Sequence, residues 1–212
     1  MKRFLWFLIR AFHLGALMLL VHPKSALKKY GWFKSFHLKK VINKNGDAIP
    51  WWTYSFIDFI SDRLNSEMRV LEFGCGGSTI YLSSRVKEVV SIEDYQEWAE
   101  KTSKLIGSGS KIIVVSAIEK YFEYQNMIEG NFDILVIDNL GDRMKCVGLN
   151  LKYLNDSGVV IWDNTDGTDW CIIKNYMASY GFKDLSFSGM TAQELASSRT
   201  TLFYKEKNCL NI

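Results

Sequence analysis

At 212 residues, 48% hydrophobic and 23% charged, the chain suits one packed domain with an appendage, and its composition excludes a disordered or fibrous protein. The net charge of +3 hides an uneven split: residues 1–46 hold ten Lys or Arg and no acid, leaving sixteen basic against twenty-three acidic residues beyond them. A basic front on an acidic body points the front at something anionic, such as phospholipid, and argues against a body that grips nucleic acid.

The chain opens with eighteen mostly apolar residues, 4–21, interrupted by Arg10 and His13. That is the short edge of a spanning helix, and an arginine near its middle costs about 2.5–3.5 kcal/mol on insertion scales. Arg3, Arg10 and His13 share one stripe of a helical wheel, with Lys2 nearby, so a helix lying in the membrane interface fits as well. The expectation is contact with a membrane surface through residues 2–21. A helix packed on its own domain or on a second subunit is the alternative. The HPKSALKK that follows has no small-x-small cleavage pattern, so a removable leader is not expected. The lysines at 24, 28, 29, 34, 39 and 40 would hold the body on the cytoplasmic face of a membrane, or the protein is simply cytoplasmic. Cys75, Cys146, Cys171 and Cys209 show neither C-x-x-C nor zinc spacing, as expected of reduced thiols in the cytosol.

Residues 23–49 read as a connector with a turn at 44–47, which divides the chain into a basic N-terminal segment (1–49) and a main domain (50–212). Pro50 opens a helical pattern with apolar residues at 56, 57, 59, 60 and 64. Trp51, Trp52 and Tyr54 in it suit buried packing better than a pocket wall. From residue 69 onward, β-rich runs at 69–73, 88–93, 111–117, 132–138, 158–163, 182–187 and 200–205 alternate with helical stretches at 95–106, 144–154 and 170–180. Continuous apolar strands separated by helices indicate an α/β fold, a seven-stranded mainly parallel sheet with helices on both faces. No helical pattern separates the last two strands, which allows an antiparallel final hairpin.

Ligands of open α/β sheets bind at the carboxyl ends of the strands, and two groups of residues gather there. The first is VLEFGCGGSTIYL at 70–82: a strand ending in Glu72, glycines at 74, 76 and 77, and Ser78-Thr79 at a helix start. Glycines let a ligand approach the backbone, and the helix start offers free N–H groups. Twenty-one residues past Glu72 the next strand ends in Glu93, placed to accept hydrogen bonds from the ribose hydroxyls of a nucleoside. The turn spells E-x-G-x-G-G, not the dinucleotide G-x-G-x-x-G, and no phosphate-loop G-x-x-x-x-G-K-[ST] is present. The second group is Asp138 at the end of strand four with Asp163 and Asn164 after strand five. Such oxygen ligands suit Mg²⁺ or Ca²⁺, while Asp and Asn at strand ends are also common turn chemistry.

The E-x-G-x-G turn, Glu93 and the order of strands resemble the class I (Rossmann-like) S-adenosylmethionine-dependent methyltransferases over residues 50–205. The resemblance implies that Glu72, Gly74, Gly76, Ser78 and Thr79 hold the methionine part of S-adenosylmethionine, Glu93 its ribose, and Ser116 and Ala117 its adenine. Asp138, Asp163 and Asn164 are similar to the Mg²⁺ site of catechol-type O-methyltransferases. The wording GGST with SIEDYQEW resembles bacterial methyltransferases associated with surface polysaccharides. Only Pro23 and Pro50 occur, so the Asn/Asp-Pro-Pro-Tyr loop of adenine and glutamine N-methyltransferases is absent. Residues 50–212 contain no histidine, which leaves Asp138 or Asp163 to take a proton.

The resemblance thus implies methyl transfer to a hydroxyl, with a sugar of a surface glycan or its precursor as acceptor. A metal-dependent methyltransferase of small phenolic substrates and a non-catalytic nucleoside-binding scaffold are the alternatives.

Overall fold

The computed structural model describes residues 2–11, 15, 18, 20, 22–118, 120–167 and 169–212. The apolar run at 4–21 is therefore only partly covered, and His13 lies outside the described residues. Helix α1 spans Lys2–Ala11. No helix among the described residues is long and apolar enough to cross a membrane.

Two short helices follow, α2 (Ala26–Tyr30) and α3 (Trp32–Leu38). Ser25 caps the first by accepting the Lys28 N–H, and Gly31 joins the two in a left-handed conformation. Glycine is required there, because a Cβ on residue 31 would lie 2.2 Å from the Lys44 nitrogen. The strap that closes on it turns at Asn43, whose side chain accepts the N–H groups of Asn45, Gly46 and Asp47.

The main body contains α4 (Tyr54–Ser61), β1 (Arg69–Phe73), α5 (Gly77–Ser83), β2 (Glu88–Glu93), α6 (Gln96–Ser103), β3 (Lys111–Val114), β4 (Phe132–Ile137), α7 (Arg143–Asn150), β5 (Leu154–Trp162), α8 (Trp170–Ser179), β6 (Lys183–Met190) and β7 (Ser197–Tyr204). The seven strands form one sheet in the order β3-β2-β1-β4-β5-β7-β6. β1 to β5 run parallel, and β7 pairs antiparallel with both β5 and β6, the final hairpin expected from the sequence.

The bounds of α4, β3 and β5 differ from the sequence expectation, and so does the place of Trp51. α4 starts at Tyr54, four residues past Pro50, because residues 50–53 are committed elsewhere. The Thr53 N–H donates to Thr200 Oγ1 and the Thr53 hydroxyl to the Phe187 carbonyl, which ties this stretch to the final hairpin. Trp52 and Tyr54 are buried as expected, but Trp51 is 45% exposed and lines a cleft. β3 ends at Val114 rather than 117, since its only neighbour, β2, stops at Glu93 and the ladder runs out. β5 starts early, at Leu154, with an irregularity that pairs Leu154 with Phe132 before Val159 meets Ile134.

The sheet separates two cores. Val70, Ile134, Val136, Val159 and Ile161 pack under α2 to α5, and Leu71, Phe73, Leu135, Ile137, Val160 and Trp162 pack under α7 and α8. Side chains alternate between faces with a period of two. The same parity that puts Val70, Val136 and Ile161 on the first face therefore sends Glu72, Asp138 and Asp163 there too. Leu27, Trp32 and Ile49 belong to this first core, so the connector packs on the body at the face where the acids emerge.

Candidate active site

The β1–β4 boundary is where the sheet's strand order reverses, and the chain turns between β1 and α5 stand directly above it. Gly74 adopts φ +87°, and a Cβ on it would come within 2.7 Å of the Asp138 carbonyl oxygen. The turn after β1 and the end of β4 thus touch backbone to backbone. Gly77 is equally constrained, since its Cβ would approach the Ile49 carbonyl to 2.3 Å.

Under this turn Glu72 is fully buried. Its Oε2 accepts hydrogen bonds from Thr79 Oγ1 (2.5 Å) and Ser91 Oγ (2.6 Å), while Oε1 is buried with no donor. Burial raises its pKa, and the hydroxyls of Ser78, Ser91 and Thr79 offset part of that rise. Thr79 also accepts the Gly76 N–H (2.8 Å), so its hydroxyl braces the turn instead of facing a ligand. Ser78 is buried too but lines the cleft above.

Glu93, at the end of β2, is 7% exposed. Its carboxylate accepts three backbone N–H groups: Cys75 at 2.8 Å, Asp94 at 3.0 Å and Tyr95 at 2.9 Å. A carboxylate has about four acceptor positions, so one remains for a hydroxyl. Trp98 on α6 donates its indole N–H to the Cys75 carbonyl (2.6 Å) and lies against Gly76. Sequence reasoning passed over Trp98; an indole on the polar helix QEWAEKTS was its only signal. Past β3, Ser116 gives its N–H and its hydroxyl to Glu123 (2.7 and 2.6 Å), with Ala117 beside it, well away from the acids of β4 and β5.

At the ends of β4 and β5, Asp138 and Asp163 stand side by side, extending the Ile137–Trp162 pair. Asp163 is 2% exposed and accepts the Thr200 hydroxyl at 2.5 Å. Burial pushes its pKa up to about 6 against the bond from Thr200. Asp138 keeps 24% of its side chain exposed, yet its carboxyl titrates well above the usual carboxylate range. Burial is the main cause and the charge of Asp163 the next, with Arg143 pulling the other way.

Arg143 binds these strand ends together. Its Nε donates to the Asn139 carbonyl and one terminal nitrogen to the Asp163 carbonyl, each at 2.6 Å. The other terminal nitrogen reaches Asp138 Oδ1 (3.4 Å) and Asn164 Oδ1 (3.3 Å). The Mg²⁺ expectation does not fit this arrangement. The guanidinium takes the place between Asp138 and Asn164, Asp163 turns its carboxyl to Thr200, and the Asn164 amide donates towards Ser198. No group of three or more His, Cys, Asp or Glu side chains able to hold a metal ion occurs among the described residues. An arginine five residues past the strand-four acid is the feature of the sequence that marks this difference.

A cleft of about 940 Å³ opens over these groups. Gly76, Ser78, Asp138, Asp163 and Asn164 line it, and Trp51, Trp98 and the 191–194 segment close its sides. Glu72, Thr79, Glu93, Ser116 and Ala117 do not line it: the first three lie beneath the turn and the last two at the far edge of the sheet.

No family model matches the sequence, and no curated protein matches it. Solved structures do resemble the fold. A putative caffeoyl-CoA O-methyltransferase from Staphylococcus aureus superposes with a TM-score of 0.58 at 15% identity, covering 90% of this chain and 97% of its own. An rRNA methylase from Streptococcus thermophilus gives 0.55 at 15% identity, covering 72% and 95%. An O-methyltransferase from Bacillus cereus in complex with SAH gives 0.55 at 17% identity, covering 65% and 74%. The chain therefore has the α/β fold of the class I methyltransferases.

Proposed function

We propose that the chain is an S-adenosylmethionine-dependent methyltransferase that acts on a hydroxyl group. The observation that carries this reading is the convergence of a glycine turn, a strand-terminal Glu93 and the Asp138–Asp163 pair at the switch point of a β3-β2-β1-β4-β5-β7-β6 sheet. The residues fit the cofactor. Gly76 and Ser78 line the cleft, Glu93 keeps one acceptor position for a ribose hydroxyl, and Glu72 braces the turn from beneath through Thr79. When bound, S-adenosylmethionine supplies a methyl group already activated by a positive sulfur.

The protein's task is then alignment, exclusion of water and removal of one proton. Held beside Gly76, Ser78 and Glu93, the cofactor would give its methyl to the acceptor oxygen and leave as a neutral thioether. Asp138 takes the hydroxyl proton. Its raised proton affinity makes it a stronger base than an exposed carboxylate, and Arg143 holds it in place. Asp163, bound by Thr200, supplies the neighbouring charge that keeps that affinity high.

A sugar hydroxyl of a surface glycan or its precursor is the proposed acceptor, in keeping with a front that meets membranes. Phe4, Trp6 and Phe7 on α1 are each more than 60% exposed, next to Arg3 and Arg10, a combination suited to an anionic lipid surface. Calorimetric titration with S-adenosylhomocysteine tests the core of the proposal, and a folded protein that does not bind it would rule the reading out. Sedimentation with anionic vesicles tests the membrane contact, which predicts co-sedimentation that is lost on deletion of residues 1–22.

A further inference from the structure

The cleft over the strand ends is walled on one side by the connector, which brings Lys39 and Lys40 to its mouth, and on the other by α6, which brings Lys101. The connector is held firmly. Ser35, fully buried, donates to the Lys40 carbonyl (2.5 Å) and accepts the Ile42 N–H (3.4 Å). Lys39 closes α3 in the left-handed conformation, and the strap beyond it is wedged between Gly31 and Gly77.

None of these three lysines has a carboxylate within ion-pair distance among the described residues. The acids of the same cleft are engaged elsewhere: Asp138 with Arg143, Asp163 with Thr200, and Glu194 with Thr191. Three lysines without an ion-pair partner thus gather on the two walls of the cleft, Lys39 and Lys40 from the basic front and Lys101 from the body.

We propose that the methyl acceptor carries a phosphate or diphosphate, seated by Lys39, Lys40 and Lys101, with its reacting hydroxyl directed inward to Asp138. The proposal rests on the methyltransferase reading and names its substrate class. A phosphate monoester brings about −1.5 to −2 charges. A single carboxylate has too few oxygens to meet all three lysines at once. Lysine meets phosphate as a compact point charge that tolerates variable geometry, which suits a mouth open to solvent.

The test is calorimetry on the full-length protein, titrated first with S-adenosylhomocysteine and then, in the loaded state, with inorganic pyrophosphate. Wild-type protein is expected to bind pyrophosphate. The Lys39→Gln/Lys40→Gln variant should weaken it by about tenfold or more and Lys101→Gln by several-fold, with S-adenosylhomocysteine affinity unchanged in each. Lys24→Gln/Lys28→Gln, outside the cleft, should match wild type.

Vesicles of phosphatidylcholine with phosphatidic acid separate two sources of the phosphate. Wild-type pyrophosphate binding that is unchanged by these vesicles assigns a soluble phosphate ester, and pyrophosphate binding abolished by them but not by phosphatidylcholine alone assigns a lipid headgroup. Absent pyrophosphate binding, or equal binding by wild type and the cleft variants, overturns the acceptor assignment alone. Failure of S-adenosylhomocysteine to bind removes the methyltransferase reading and the assignment together.

Discussion

The two halves of the site are built from different chemistry. At the ends of β1 and β2, Glu72 and Glu93 are held by hydroxyls and backbone N–H groups, with one acceptor position of Glu93 left spare. At the ends of β4 and β5, Arg143 ties the Asp138 carboxyl to the Asp163 backbone carbonyl, the Asp163 carboxyl turns to Thr200, and both acids titrate above the usual carboxylate range. Carboxylates locked by donors on rigid backbone are suited to holding a ligand in one pose. A crowded pair with raised proton affinity is suited to moving a proton. In the proposed function one half binds and the other carries the chemistry, and each of the following variants is a way to break that division.

The largest effect belongs to Asp138→Asn. It keeps the size of the side chain and removes the base, so turnover should fall by about 100- to 10,000-fold, the usual worth of a general base. Affinity for S-adenosylhomocysteine should hardly change, as expected of a group that acts mainly in the transition state. Equal losses in turnover and cofactor affinity would erase the division between the halves.

Glu93→Ala should do the opposite, weakening S-adenosylhomocysteine binding by about 1.5–3 kcal/mol, the scale of hydrogen bonds to a charged group. Calorimetry reads this directly. Unchanged affinity in a folded variant would take Glu93 out of the binding half.

Asp163→Asn sharpens the comparison through stability. The folded-state pKa of about 6 lies above the ordinary 3.8, so the native protein binds this proton more tightly than the unfolded chain does. Stability from this group is therefore full below about pH 4, falls as pH rises towards 6, and stays reduced above it. Asparagine removes the buried charge, so at pH 7 the variant should be more stable than wild type by on the order of 1–3 kcal/mol. That gain should shrink as pH falls to 4, as measured by urea unfolding across the range. A gain that grows on acidification would contradict the raised pKa.

The smallest expected effect is none. Arg143 occupies the position between Asp138 and Asn164, so chelation with EDTA should leave turnover unchanged, and added Mg²⁺ should not raise it. Activity lost to chelator and restored by Mg²⁺ would show that the guanidinium yields its place to a metal.

Much of this arrangement was legible in the sequence for a local reason. Apolar runs of strand length, an E-x-G-x-G-G turn and acids at strand ends are patterns of a few residues each, and a period of two suffices to put Glu72, Asp138 and Asp163 on one face. Helix starts were less legible, as α4 shows: Pro50 is a good first-turn residue, but the ties from Thr53 to Thr200 and Phe187 keep residues 50–53 out of the helix. Those partners lie more than 130 residues away.

By itself the sequence determined the elements, their order and the identity of the acids, because these follow from side-chain periodicity and turn chemistry within short windows. Only the tertiary structure decided what each acid touches. It turned Glu72 inward under Thr79 and Ser91, and it placed the Arg143 guanidinium where oxygen ligands alone suggested a metal. It also carried Lys39 and Lys40 from the connector to the mouth of a cleft built some hundred residues further along. Charge and burial at such positions depend on which distant segments pack there, and no local pattern encodes that.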